Sequence, residues 1–281
     1  MTGMTHPDPS IAVAAALLAE ADSLLVLTGA GISVESGIPT YRGPEGVYEV
    51  NPTLPHLLSV AGLRDRPEEV WDYIDRMRVL VDGSGPNDAH RILARWEREG
   101  RFGRFLIATQ NVDGLHAAAG SDRVSEIHGS IWRFAAPREE EPDLSAFFAD
   151  ADREEILRLW SRENEMAVWE NREIPFKAIP PSESSGVRPD VLFFDEGYGN
   201  RLLWLEYFLK EGCDAILVVG CSGEVQILPY LIRCARADNP EVCVLNVNPH
   251  EDCIDGAHMH LPLGATDALT ALDAELTSRG R

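Results

Sequence analysis

Several features common in other proteins are scarce or absent in this chain of 281 residues. No apolar run approaches the roughly 20 residues needed to cross a bilayer, and the opening MTGMTHPDP lacks the basic and apolar segments of a secretory leader. No membrane partner is expected, and the cytoplasm is the expected compartment. Cysteine is missing from the first three quarters: Cys213, Cys221, Cys234, Cys243 and Cys253 are odd in number and never form a C-x-x-C pair. That pattern argues against a disulfide framework and against a four-cysteine zinc site, leaving small buried hydrophobes as the plain reading. Basic residues are also few: 25 Lys and Arg stand against 46 Asp and Glu, a formal charge of −21. No concentrated basic patch is visible to hold phosphates, so nucleic acid is not an expected partner. An acidic surface suits a basic peptide, and it suits solubility equally well.

What is present is a repeated grammar. SLLVLT (23–28), FGRFLIATQ (102–110), DAILVVGCS (214–222) and EVCVLNVN (241–248) are continuous apolar runs, each emptying into a polar or glycine-bearing loop. Helical segments separate them: IAVAAALLAEA with Ser10 as its expected cap, NDAHRILARWERE (87–99) and RLLWLEYFLKEG (201–212). Strands apolar on both sides imply a parallel sheet covered by helices on both faces, an α/β, Rossmann-like fold. Ligands in such folds bind beyond the carboxyl ends of the strands, where the polar loops lie. Residues 135–186 break the grammar, being charge-rich, helical in the middle and rich in Pro and Ser at the end. The expected organisation is a disordered lead at 1–9, a large domain from 10–134 and 187–281, and a small, mainly helical module inserted at 135–186.

The loop within VLTGAGISVESGIPTYRG (26–43) is a candidate phosphate cradle. Gly29 and Gly31 would let the backbone approach a pyrophosphate closely, and Ser33 would donate a further hydrogen bond near a helix N-terminus. The G-x-G-x-x-G pattern fails at Val34, which weakens the dehydrogenase reading. Taken alone, such a loop is a structural turn about as often as a site. Its company raises the odds, because TQNVDGLH (109–116) and EIHGS (126–130) each put ionisable or amide groups where a strand ends.

Read together, GAGISVESGIPTYRG, PNDAH (86–90), TQNVDGLHAAAG, EIHGS, RPDVLFFDE (188–196), VVGCSGEV (218–225) and LNVN (245–248) resemble the sirtuins, the Sir2-type NAD-dependent protein deacylases. The blocks follow the family's order and spacing from about residue 11 to 275. The resemblance implies NAD and an acyl-lysine peptide meeting in a cleft, with nicotinamide, free lysine and 2′-O-acyl-ADP-ribose as products. It assigns Gly29, Ala30, Gly31 and Ser33 to the NAD phosphates, and Thr40, Tyr41 and Arg42 to the far end of the loop, Arg42 at the phosphate and ribose and Tyr41 over nicotinamide. Gln110, Asn111 and Asp113 would shape the nicotinamide pocket and its ribose. Gly220, Cys221 and Ser222, with Asn246, Val247, Asn248 and Ala265, would hold the adenosine half.

His128 would be the general base, an imidazole suited to taking a proton from a ribose hydroxyl. His90 and His116 also match family positions and read as structural. Phe194, Asp195 and Glu196 on one side and Gly223, Glu224 and Val225 on the other would clamp the peptide as an added strand. Thr40 and Tyr41 replace the family's commoner Asp and Phe, and Asp195 replaces its Gly.

The family's zinc-binding cysteines are missing, since Ala135, Ala136 and PPSESSG stand where its two Cys pairs would be. No zinc is expected, and Leu144, Phe147, Phe148, Ile156, Leu157, Trp160 and Trp169 are candidates to stabilise the small module by packing. VWDYIDRMR (70–78) carries Tyr73 and Arg76 in a Y-x-x-R arrangement similar to that of sirtuins preferring succinyl, malonyl or glutaryl lysine. A guanidinium would receive a carboxylate at the acyl tip. A solvated Arg beside a half-buried Tyr explains the same four residues. Two other functions stay open at this point: an NAD hydrolase or ADP-ribosyltransferase, and a non-catalytic NAD or ADP-ribose-binding module. The oligomeric state is not legible.

Overall fold

Each apolar run becomes a strand because burial on both faces leaves nothing for solvent to hydrate. The strands in chain order are β1 (Ser23–Thr28), β2 (Arg104–Thr109), β3 (Val124–Glu126), β4 (Gly129–Ala135), β5 (Val168–Glu170), β6 (Arg188–Val191), β7 (Ala215–Val219), β8 (Cys243–Val247) and β9 (Met259–Leu261). They belong to a computed structural model that describes residues 9–41, 46–135, 168–170, 188–223, 225–250 and 254–280. Six of them form one sheet in the order β3-β2-β1-β7-β8-β9, with every pairing parallel. The chain runs outward from β1 through β2 to β3 and then crosses back to β7, the Rossmann order. Its switch point lies between β1 and β7.

The pleat divides the core in two. Leu24, Val26, Phe105, Ile107, Ala215, Leu217 and Val219 face one way, into a cluster with Ile11, Leu18, Leu93, Trp96, Leu269 and Leu272. Their neighbours Leu25, Leu27, Leu106, Ala108, Ile216 and Val218 face the other way, against Leu205, Leu209, Leu228 and Leu231. The first face is covered by helices Pro9–Ala19, Asp88–Arg98 and Ala265–Ser278, the second by Leu203–Lys210 and Ile227–Asp238. Asp273 pins the first layer by accepting from Trp96 Nε1 at 2.7 Å and pairing with Arg95 at 2.5 Å. The N-terminal helix begins at Pro9, so Ser10 lies inside its first turn and not at the cap expected of it.

β4, β5 and β6 form a separate antiparallel sheet in the order β5-β4-β6. A third cluster of Ile74, Val81, Ile131, Trp132, Val191 and Phe193 joins this sheet to the helix Pro67–Asp82. Residues 1–8, 136–167 and 171–187 fall outside the described residues, and with them most of the expected lead and small module, including Leu144, Phe147, Phe148, Ile156, Leu157 and Trp160. Among the described residues no helix is long and apolar enough to cross a membrane.

Candidate active site

At the switch point the ladders run on past the strands. Gly29 N donates to Val219 O at 3.1 Å, Gly31 N to Gly220 O at 2.9 Å, and Gly220 N to Val247 O at 2.9 Å. This lacing brings the loop after β1 onto the loop after β7 so tightly that side chains have no room. A Cβ at Gly29 would lie 2.8 Å from Gly220 O, and one at Gly31 2.6 Å from Gly220 Cα. Gly220 itself has φ 66°, where a side chain is strained. The glycines therefore serve the packing of two backbones, a constraint the phosphate-cradle reading did not contain.

Ala30–Ser36 is a 3₁₀ helix whose N-cap, Gly29, offers no side-chain cap. Ser33 lies well inside it and is fully buried. Its hydroxyl donates to Asp113 Oδ2 at 2.8 Å and accepts from Asn111 Nδ2 at 3.1 Å. The expected donor to a phosphate is thus committed to holding two residues of the loop after β2. Asn111 Nδ2 also reaches Gly29 O at 3.1 Å, and Asp113 Oδ1 accepts from Leu115 N at 2.9 Å. Burial pushes the Asp113 carboxyl up from the usual range, while Leu115 N–H and the Ser33 hydroxyl pull it down. Gly29, Ser33, Asn111 and Asp113 form one closed hydrogen-bonded set. Asn87 adds an outer tie, capping the helix Asp88–Arg98 through His90 N and donating to Ile32 O at 2.7 Å.

His128 sits between β3 and β4 with both ring nitrogens engaged. Its Nδ1 lies 2.9 Å from Gln110 O and its Nε2 3.2 Å from the Tyr198 hydroxyl. A carbonyl only accepts, so Nδ1 carries the proton and Nε2 presents a lone pair. Burial lowers the His128 pKa to about 4, with the Gln110 carbonyl opposing and the nearby Arg201 guanidinium assisting. The imidazole is therefore neutral at ordinary pH, the state a general base requires.

Among the residues expected to meet adenosine, Cys221 is buried, its Sγ 3.5 Å from Gln110 Nε2, and its carbonyl accepts from Asn248 Nδ2 at 2.7 Å. Asn246 is fully buried on β8. The Val247 side chain packs into the core and its carbonyl already serves Gly220, so the structure commits both to the fold. Ser222 is exposed at the rim. Ala265 opens the helix Ala265–Ser278, whose N-cap Gly264 provides no side-chain cap. Two helix starts without side-chain caps, at Gly29 and Gly264, thus meet a set of amide and hydroxyl donors. That donor set fits a dinucleotide, whose phosphates take backbone N–H groups and whose ribose takes amides.

The Tyr41 ring lies 5.4 Å from that of Tyr48, tilted by 35°, and Tyr48 meets Phe194 edge-on at 5.6 Å. Burial raises the Tyr41 phenol well above the usual value, with Tyr73, Tyr48 and Asp113 adding to the effect. Burial also pushes the Tyr73 phenol up to about 12, the Tyr41 hydroxyl opposing. An aromatic path therefore runs from the glycine loop to the expected peptide clamp. Thr40 holds the loop's far end through its carbonyl, which accepts from Val47 N at 3.0 Å.

In the clamp itself Phe194 is half exposed, and its N–H donates to Leu58 O at 3.0 Å. Asp195 Oδ1 accepts from Val60 N at 2.7 Å, which ties the clamp to the N-terminus of the helix Val60–Asp65. Glu196 forms an ion pair with Arg188 and accepts from Phe193 N at 2.9 Å. Burial alone would raise its pKa, and the Arg188 pairing outweighs it. Gly223 and Val225 flank position 224, which with Arg42 lies outside the described residues.

The helix Pro67–Asp82 shows what sequence reasoning missed. Tyr73 joins the third core cluster, whereas Arg76 is exposed. Arg78, two residues on, is the buried cation: its Nε donates to Ile131 O at 2.6 Å, and its guanidinium lies 5.8 Å from the Trp132 ring. Helical spacing was the signal that could have separated them: Arg78 falls four residues after Ile74 and three before Val81, on the buried face, and Arg76 does not. His90 and His116 are buried with ring centroids 4.8 Å apart, and His116 Nε2 lies 2.9 Å from Thr28 Oγ1. Both sit behind the end of β1, as structural residues do.

Comparison with known proteins agrees with this geometry. The family model described as the Sir2 family matches residues 29–227. NAD-dependent protein deacylase 1 of Caldanaerobacter subterraneus is 34% identical, covering 89% of this chain and 92% of its own. The mitochondrial NAD-dependent protein deacylase sirtuin-5A of Xenopus laevis is 30% identical over 98% of this chain and 90% of its own. Among solved structures, a complex of a Sir2 homologue with NAD aligns at TM-score 0.74 and 26% identity, covering 95% of this chain and 94% of its own.

Proposed function

The chain belongs to the Sir2 family and is an NAD-dependent protein deacylase, and from this premise we propose that His128 is its general base. In the same proposal Asn111 and Asp113 shape the nicotinamide pocket, Phe194 to Glu196 with Gly223 to Val225 hold the acyl-lysine peptide, and the uncapped helix starts that follow Gly29 and Gly264, with the Ser222 hydroxyl, serve the dinucleotide. The observation that carries the reading is the state of His128. Its proton is fixed on Nδ1 by Gln110 O at 2.9 Å, which leaves Nε2 as the acceptor, met in this structure by the Tyr198 hydroxyl at 3.2 Å.

NAD, when bound, supplies the glycosidic bond whose cleavage releases nicotinamide. Residues of the chain do the rest. The set of Gly29, Ser33, Asn111 and Asp113 is rigid and largely dry, so its dipoles cost little reorganisation when charge develops beside it. Asp113 presents its carboxyl there, held in place by Leu115 N and Ser33 Oγ at 2.9 and 2.8 Å. His128 takes the proton of a ribose hydroxyl at Nε2. The half-exposed Phe194 and the main chain beside it offer an extended peptide an apolar contact and an edge.

For the acyl group, Tyr73 at the inner end and Arg76 at the exposed end of one helical turn suit a short chain ending in a carboxylate. We therefore extend the proposal to succinyl and malonyl lysine. The test is incubation with NAD and acetyl-, malonyl- or succinyl-lysine peptides, with products followed by mass spectrometry. Peptide-dependent 2′-O-acyl-ADP-ribose is expected. Free ADP-ribose formed without peptide would overturn the peptide assignment in favour of NAD hydrolysis.

A further inference from the structure

The Nε2 of His128 has one lone pair, and the Tyr198 hydroxyl already points at it from 3.2 Å. Because Gln110 O fixes the proton on Nδ1, the hydrogen bond between Nε2 and Tyr198 has only one direction: the phenol donates and the imidazole accepts. The ribose hydroxyl that the base must deprotonate needs the same lone pair. Both cannot be served at once.

The surroundings of Tyr198 favour an exchange. Its ring lies 5.7 Å from that of His128, tilted by 31°, and packs beside the apolar cluster under the helices Leu203–Lys210 and Ile227–Asp238. Burial raises its pKa, so the phenol keeps the proton it donates. Its neighbours in sequence are Gly197 and Gly199, and Gly199 has φ 52°, a conformation open to glycine. Nothing lies within 4 Å of where a Cβ on Gly197 would stand. The Tyr198 carbonyl is held by Arg201 N at 3.1 Å, so the exchange is a rotation of the side chain, with open space beside it at Gly197. Tyr198 also follows Glu196 by two residues, so it shares a loop with the peptide clamp.

We propose that Tyr198 is the positioning residue of the base: its hydroxyl holds the imidazole plane and the Nε2 lone pair toward the crevice until a ribose hydroxyl of NAD takes its place. The inference rests on His128 being the base. No bond other than a hydrogen bond is made or broken in the exchange.

The consequence is opposite to that of a merely structural tyrosine. Removing the hydroxyl in Tyr198→Phe removes the competitor, so NAD binds about 2- to 10-fold more tightly by calorimetry, the net worth of one neutral hydrogen bond. In a His128→Ala background the same substitution leaves the affinity unchanged. In ¹⁵N-histidine-labelled protein the Nε2 resonance of His128 differs between wild type and Tyr198→Phe without NAD, and coincides once NAD is bound. Equal or weaker NAD binding by Tyr198→Phe, or identical Nε2 resonances without NAD, overturns the proposal. Full turnover by His128→Ala overturns the base assignment instead, and leaves the Nε2 measurement to decide the hydrogen bond on its own.

Discussion

Ser33 Oγ donates to Asp113 Oδ2 at 2.8 Å across 80 residues of sequence, with neither side chain exposed to solvent. The contact fastens the glycine loop after β1 to the loop after β2. Without Ser33 the Asp113 carboxyl would keep only backbone N–H groups, of Leu115 and of Asp113 itself, against its burial. Ser33→Ala is therefore expected to cost about 1.5–3 kcal/mol, the range for a hydrogen bond to a charged group, read as a lower urea midpoint. Its pKa direction is also set: Asp113 rises further, so the loss of stability is greater at pH 8 than at pH 5. Equal loss at both values would show that Asp113 does not feel the hydroxyl.

His128 should limit activity on the acid side only at unusually low pH. Burial lowers its pKa to about 4, below the ordinary 6.5. The rate constant kcat/KM is thus expected to stay flat through pH 6 and fall as pH approaches the folded value. His128→Ala is expected to lose at least about a hundredfold in turnover while still binding NAD by calorimetry. An acid limb centred near 6.5 would show that the imidazole is solvated, and an undiminished rate would remove it from the chemistry.

The same depression, in His128 and in two further histidines, should govern acid stability. Burial lowers His90 to about 4 and His116 well below its ordinary value. A base whose folded pKa is depressed contributes stability above its unfolded pKa and loses it as pH falls toward the folded one. The window here opens near 6.5 and closes near 4 for His90, with about 3 kcal/mol at stake from a shift of that size. His90→Asn is expected to flatten the fall in urea midpoint between pH 6.5 and 4. A slope identical to wild type would place the acid sensitivity elsewhere.

Gly31→Ala is expected to be among the most damaging single changes in the glycine loop. Its Cβ would stand 2.6 Å from the Gly220 Cα and 2.8 Å from the Gly220 carbonyl, both backbone atoms that cannot rotate away. Overpacking of this kind costs about 1–3 kcal/mol, and parting the two loops lowers NAD affinity with it. Gly37→Ala has open space around its Cβ and a φ of 85°, so it pays backbone strain alone, about 1 kcal/mol. Equal NAD affinity in the two variants would deny that the loop contact shapes the site.

The contrast between those glycines also marks where sequence reading stopped. The parallel sheet was legible because SLLVLT, FLIAT, AILVV and CVLNV have no polar side to show water, and only a sheet covered on both faces hides them. His128 and Asp113 stand out in the sequence as candidates because they sit where such strands end. The lacing of Gly29 and Gly31 onto Gly220 was not legible, since a pattern of glycines says that side chains are excluded but not by what. Ser33 was read outward, toward a ligand, when its partner lay in another loop. Tyr198 carried no signal at all, because its role depends on one distance to a residue 70 positions away.

Arg76 and Arg78 close the argument, since they are the same residue type two positions apart with opposite surroundings. Arg76 is exposed and Arg78 fully buried, with Nε on Ile131 O at 2.6 Å and Asp75 within 3.5 Å. Arg78→Met would leave the Ile131 carbonyl without its donor and is expected to cost about 2–3 kcal/mol, whatever acyl group is offered. Arg76→Met breaks nothing inside the fold, so its stability should stay within about 0.5 kcal/mol of wild type. Its effect should fall on selectivity: a carboxylate at the acyl tip loses its cation, and kcat/KM for succinyl-lysine peptide drops about tenfold or more relative to acetyl-lysine peptide. Tyr73→Phe, which removes a phenol but no charge, should change the ratio less. If Arg76→Met slows both peptides equally, the Y-x-x-R turn is only a solvated Arg beside a half-buried Tyr, and the acyl preference must be set from another wall of the cleft.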